Sequence, residues 1–132
     1  MGSTAQFIET KYIHQNGPYT CRGSVRDFNG VMYQTSDVQS IKLTVYERDV
    51  LDPNNYTPVT GYNNLTVDVS AIEERYGVKE DGTEVVYNFE YDLPTGVTPA
   101  FARRDWRYIV HFEIRPIVGR PTVIEAELKT LP

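Results

Sequence analysis

At 132 residues the chain fits one ordinary domain with a core of its own. Hydrophobic residues make up 40% and charged residues 23%, a globular rather than a disordered balance. The net charge of −5 is uneven: residues 1–99 carry 7 Lys/Arg against 14 Asp/Glu, and residues 100–132 carry 6 against 4. An acidic domain repels phosphate backbones, which argues against nucleic-acid binding, while the basic last third suits an acidic protein partner.

Ten Tyr with many Val and Thr favour strands, and nine Gly and eight Pro punctuate the chain into short elements. Residues 1–18 admit two readings. One is the first edge strand of a sandwich; the other is an N-terminal arm that adds a strand to a neighbouring subunit through main-chain hydrogen bonds. From Tyr19 to Arg26 the period is two, with Tyr19, Cys21, Gly23 and Val25 inward and Thr20, Arg22, Ser24 and Arg26 outward. Asp27-Phe28-Asn29-Gly30 closes that strand with an Asn-Gly turn.

Ile41, Leu43 and Val45 share the next inward face, opposite Lys42, Thr44 and Tyr46. A loop rich in Asp, Asn and Pro runs from Asp49 to Asn64, after which Leu65, Val67 and Val69 alternate with polar residues. The spacing of Ser70 and Glu73, followed by Gly77, predicts one short helix over 70–76. Asp81-Gly82 turns the chain into a strand with Tyr87, Phe89 and Tyr91 on one side and Asn88 and Glu90 on the other.

Pro94 to Phe101 reads as a connection between sheets. The longest strand starts at Trp106 and aligns Tyr108, Val110, Phe112 and Ile114. Val118-Gly119-Arg120-Pro121 makes the last turn, and Ile124, Ala126 and Leu128 face inward from the final strand. The expected core comprises Val25, Ile41, Leu43, Val45, Leu65, Val67, Phe89, Tyr108, Val110 and Phe112.

Catalytic equipment is scarce. The two histidines, His14 and His111, stand outside any hydrolase, zinc-protease, nucleotide or dinucleotide motif, and His111 faces away from the expected core. Cys21 is the only cysteine, so no intramolecular disulfide forms, and its inward position marks it as an inert thiol. The loop from Asp49 to Asn55 is rich in oxygen ligands but lacks EF-hand spacing, and turn chemistry accounts for it. No enzyme activity, cofactor or metal is expected.

No apolar run reaches the ~18 residues of a membrane span. The N-terminus has no basic and apolar signal-peptide regions, so a protein made in the cytoplasm without a membrane partner is expected. The Asn55 and Asn64 glycosylation sequons then count as chance matches.

Recognition candidates are aromatic and basic. Tyr46, Tyr56 and Tyr62 lie on an outward face or in the long loop, where tyrosines suit a protein contact or a sugar platform. Arg103, Arg104 and Arg107 crowd the start of the long strand, either as a solvated turn with Asp105 or as an arginine anchor for an interface. With Phe7 and Tyr12 of the first strand, the candidate interface is Phe7, Tyr12, Tyr46, Tyr56, Arg103, Arg104 and Arg107.

The segments Ile41-Lys-Leu-Thr-Val-Tyr46, Tyr87-Asn-Phe-Glu-Tyr91 and Trp106-Arg-Tyr-Ile-Val-His-Phe-Glu-Ile114 resemble small immunoglobulin-like domains of tailed-phage structural proteins and some bacterial surface proteins. The overall expectation is an all-β, antiparallel immunoglobulin-like β-sandwich of about seven strands with one short helix, a single domain over residues 1–132. The resemblance implies a scaffold without an active site, located in a virion. It favours a capsid decoration (cement) role on the major capsid protein, with tail, baseplate or connector roles and a carbohydrate- or cell-surface-binding module as alternatives. Partners would be protein subunits of a larger assembly, self-association included. The resemblance assigns no functional residue.

Overall fold

Alternating apolar side chains can be buried only if strands pair into sheets whose apolar faces meet, and that is the arrangement formed here. The computed structural model describes residues 6–78, 81–94 and 99–132. Within them run nine strands: β1 (Gln6–Ile13), β2 (Tyr19–Gly23), β3 (Val38–Arg48), β4 (Tyr56–Pro58), β5 (Leu65–Val67), β6 (Ile72–Val78), β7 (Glu84–Leu93), β8 (Arg107–Pro116) and β9 (Thr122–Thr130). One sheet has the order β1-β9-β8-β3, with β4 and β5 sharing the far edge of β3; the other has the order β2-β7-β6.

This is the strand order of an immunoglobulin-like sandwich, with β2, β7 and β6 in the places of strands B, E and D and β3, β8 and β9 in those of C, F and G. A tyrosine corner agrees with it. Tyr108, at the start of β8, accepts a hydrogen bond at 2.8 Å from the backbone N–H of Arg103, five residues upstream. Val110 stands two residues beyond that tyrosine, where antibody domains place a cysteine, so Cys21 on β2 has no partner.

The expected core is present. All ten residues except Leu65 are buried, and Leu65 is half-buried against them. Phe89 and Tyr91 of the small sheet meet Phe112 of the large one edge-on, with ring centroids 4.8 and 5.7 Å apart. These are the edge-to-face contacts that aromatic quadrupoles favour.

Several expectations are corrected. Residues 70–76 form no helix; a 3-10 turn at Val69–Ala71, with Asp68 accepting from the Ser70 N–H, leads into β6. The local sequence suits a helix, but Ile72 is fully buried and pairs with Phe89, and that tertiary gain overrides propensity. Gly77 therefore lies inside a strand rather than ending a helix. A Cβ there would stand 3.1 Å from the Tyr87 ring, so glycine makes room for the cross-strand aromatic.

The long loop contains a further strand, β4, and its Tyr62 turns into the core. Residues 6–13 lie against their own chain as an edge strand, and they do so parallel to β9, so the large sheet is not wholly antiparallel. Phe101, expected in a connection, is fully buried against Tyr108; residues 95–98 of that connection lie outside the described residues.

Asn88 is the largest departure from the pattern. It alternates with Phe89 as an outward residue would, yet it is buried, because β2 ends at Gly23 and the following segment folds over it. Its carboxamide accepts from the Val25 N–H at 2.6 Å and donates to the Val25 and Tyr33 carbonyls at 2.8 and 2.9 Å. The side chain thus replaces a rung of the β ladder and fixes both stems of the β2–β3 connection. Asn88→Ala would leave the Val25 N–H and the Tyr33 carbonyl buried without partners, while the Val25 carbonyl keeps the Tyr33 N–H at 3.1 Å; each orphaned group costs about 1–3 kcal/mol. The expected result is a loss of roughly 2 kcal/mol or more in urea unfolding with the m-value unchanged, whereas Asn29→Ala in the exposed turn should stay within about 0.5 kcal/mol.

Candidate docking surfaces

The topology sorts the connections into two ends. β3 runs from Val38, opposite Pro116, to Glu47, opposite Tyr108. The β2–β3, β6–β7 and β8–β9 connections therefore leave one end, and the β1–β2, β3–β4 and β7–β8 connections leave the other. The length of β3 separates the two by ~35 Å at about 3.3 Å per residue.

At the first end the turns are fixed by their own polar groups. Asp27 Oδ1 accepts from the N–H groups of Asn29 and Val31 at 2.8 and 2.9 Å, and Arg26 donates to the Gly30 carbonyl at 2.9 Å. Gly30 takes φ of 82°, a left-handed value that a side chain would disfavour. The β8–β9 turn is tied to the same end by an Ile117 N–H bond of 2.9 Å to the Asp37 carbonyl. Alongside exposed polar residues such as Asn29 and Arg120, four large apolar side chains face solvent there. Phe28 is 79% exposed, Val31 61%, Ile117 63% and Val118 86%. The sequence reading passed over these residues, although large apolar side chains inside turn motifs are an available signal.

The candidate interface residues gather less well. Arg103 is engaged within the fold: its guanidinium lies 3.4 Å from Glu47 and 5.7 Å from the Trp106 ring, and its N–H serves the tyrosine corner. Arg48 lies 6.0 Å from the same indole, whose N–H donates to the Arg48 carbonyl at 2.7 Å. Buried Thr130 donates to the Arg103 carbonyl at 2.6 Å and accepts from the Trp106 N–H at 2.8 Å. Asp105, expected beside the arginines, pairs with Lys129 at 3.6 Å. Arg104 and Arg107 are exposed and form no ion pair among the described residues.

Tyr12 is exposed on β1, while Tyr46 and Tyr56 are half-buried on β3 and β4. The intervening strands put roughly 19 Å between β1 and β4 at about 4.8 Å per strand, so Tyr12 shares no patch with the other two, whereas Tyr46 and Tyr56 sit on paired strands, opposite Pro58 and Arg48. Phe7 takes the register position opposite Glu125, and its side chain lies outside the described residues. The burial of Tyr62 removes the third member of the expected sugar platform.

Other chemistry is sparse among the described residues. His111 Nδ1 lies 2.9 Å from Glu125 Oε1, and its ring meets Tyr46 edge-on at 6.0 Å, a cross-strand contact on the outer face of the large sheet. The Asp49 and Asp52 carboxylates accept backbone N–H groups within their own turn. No group of three or more His, Cys, Asp and Glu side chains is placed to hold a metal ion, and no helix is long and apolar enough to cross a membrane. No family model matches the chain, and no curated protein or solved structure matches it significantly.

Cys21 is fully buried beside Tyr19, and burial pushes its thiol pKa up to about 12 and the Tyr19 phenol upward as well. The folded state then holds protons that the unfolded chain releases. The stability tied to this pair is fully present below the ordinary thiol range and is lost as pH rises towards about 12. In native protein at pH 8, Cys21 should resist a thiol-reactive disulfide reagent and react in full once urea unfolds the chain; rapid native labelling would contradict the burial.

Proposed function

We propose that this protein is a non-enzymatic structural subunit that docks on other protein subunits through the loop end of its sandwich, as a decoration protein on a phage capsid lattice. The observation that carries the reading is the exposure of Phe28, Val31, Ile117 and Val118 on two connections that leave the same end of the sandwich. Contiguous exposed apolar surface marks protein interaction sites. Fixed turns also limit the ordering cost of binding.

The capsid partner is supported by the resemblance of the β3, β7 and β8 sequences to immunoglobulin-like domains of tailed-phage particles. A repeating lattice would let a modest single contact suffice, because many sites raise the effective concentration.

The test mixes purified protein with particles that lack it and measures occupancy and heat resistance. Wild type should fill a saturable set of sites. Phe28→Ser and Val118→Ser should each weaken binding by roughly 10-fold or more, as expected for losing one buried apolar side chain, while urea stability stays within about 0.5 kcal/mol. Wild type that binds no particle, or variants that bind as fully as wild type, would remove this reading.

A further inference from the structure

β7 is longer than the strand beside it. On one side Glu90, Tyr91, Asp92 and Leu93 pair with Arg22, Cys21, Thr20 and Tyr19 of β2. On the other side β6 begins only at Ile72, opposite Phe89. Residues 90–93 therefore have a strand on one side and, among the described residues, none on the other. The chain that would have continued β6 upward is the 3-10 turn Val69–Ala71, which lies near β7 without pairing with residues 90–93.

Between that turn and the strand lies an open cleft of about 300 Å³, lined by Asp68, Ser70 and Ala71 on one side, Glu90, Tyr91 and Asp92 on the other, and Arg75. The wall formed by the turn is braced by its own hydrogen bonds. Asp68 accepts the Ser70 N–H at 2.8 Å, and Arg75 donates to the Ala71 and Glu73 carbonyls at 3.1 and 3.0 Å, which closes the turn.

Its charges are unequally compensated. Glu90 lies 2.6 Å from Arg22 and 3.8 Å from Arg75. Asp92 accepts the Thr20 hydroxyl at 2.6 Å, and Asp68 accepts the backbone N–H and the hydroxyl of Ser70. Among the described residues neither carboxylate has a cationic partner, so the cleft presents two uncompensated negative charges, one on each wall.

We infer that this cleft is a strand-addition site: an extended segment of a partner protein with Lys or Arg at alternating positions pairs with the open edge of β7, its cations meeting Asp68 and Asp92. Main-chain hydrogen bonds to a sheet edge supply affinity, and side-chain pockets on alternate residues supply selectivity. The open stretch spans ~13 Å at about 3.3 Å per residue, which takes a segment of about four residues. The site lies on the small sheet and is independent of the loop-end reading.

The experiment titrates full-length protein with a seven-residue peptide of alternating Lys and Val, a matched Glu-Val peptide, and a Lys-Val peptide whose backbone nitrogens are methylated. Amide NMR shifts and hydrogen exchange give the readout. The Lys-Val peptide should bind, shift amides of 68–71 and 90–93, and slow exchange along residues 90–93. The Glu-Val peptide should fail, and methylation should weaken binding at least tenfold, since it removes the main-chain donors. Asp68→Asn with Asp92→Asn should weaken the Lys-Val peptide by a similar factor and flatten its salt dependence, with an unchanged spectrum elsewhere reporting an intact fold. No binding, shifts mapping elsewhere, or equal binding by the methylated peptide would each overturn the inference.

Discussion

The carboxamide of Asn88 completes the hydrogen bonding that backbone groups in its neighbourhood leave unmade, serving the Val25 N–H and the Tyr33 carbonyl. β2 stops at Gly23, but β7 runs on, and the next segment must leave the ladder to reach the other sheet. Backbone groups at such a departure would be buried without partners, a cost comparable to losing whole hydrogen bonds. One side chain that both donates and accepts removes the problem by engaging Val25 and Tyr33 together. Both residues are buried, so the two stems of the β2–β3 connection are set at a defined height, and the turn carrying Phe28 and Val31 projects from a fixed base.

The two ends of the sandwich use their polar side chains differently. At the tyrosine-corner end, Arg48, Arg103, Trp106 and Thr130 hold the β7–β8 connection against the sheet, and the hairpin between β3 and β4 carries exposed Val50 and Leu51. At the other end Asp27, Arg26 and Asp37 satisfy the turns themselves and leave four large apolar groups facing water. Of the three clustered arginines, Arg103 is thus built into the scaffold while Arg104 and Arg107 stay exposed, and large apolar groups are exposed on the turns at the opposite end. Desolvation explains the difference: an arginine already packed on an indole and paired with a carboxylate has less to gain from a partner than an exposed phenylalanine does.

The inward faces of β2, β3, β8 and β9 were legible because a period of two states burial directly, and nearly all of the expected core lies where the alternation put it. The candidate site was less legible. Arg103, Arg104 and Arg107 are adjacent in sequence, but only contacts across the fold distinguish an engaged arginine from a free one. The stretch after Ser70 carries a helix-like local signal, and nothing within it announces that Ile72 will find Phe89 seventeen residues later.

What the sequence by itself determined is the all-β class, the faces of the long strands, the inert position of Cys21 and the Asn-Gly turn, since each depends on neighbours within a few residues. What the tertiary structure decided is where β1 pairs, that Asn88 and Tyr62 are interior, that residues 72–78 are a strand, and that two connections distant in sequence leave the same end of the sandwich. Each of those outcomes rests on contacts between residues far apart in the chain. Their energies depend on which surfaces the packed sheets leave open, and a local pattern carries no record of that.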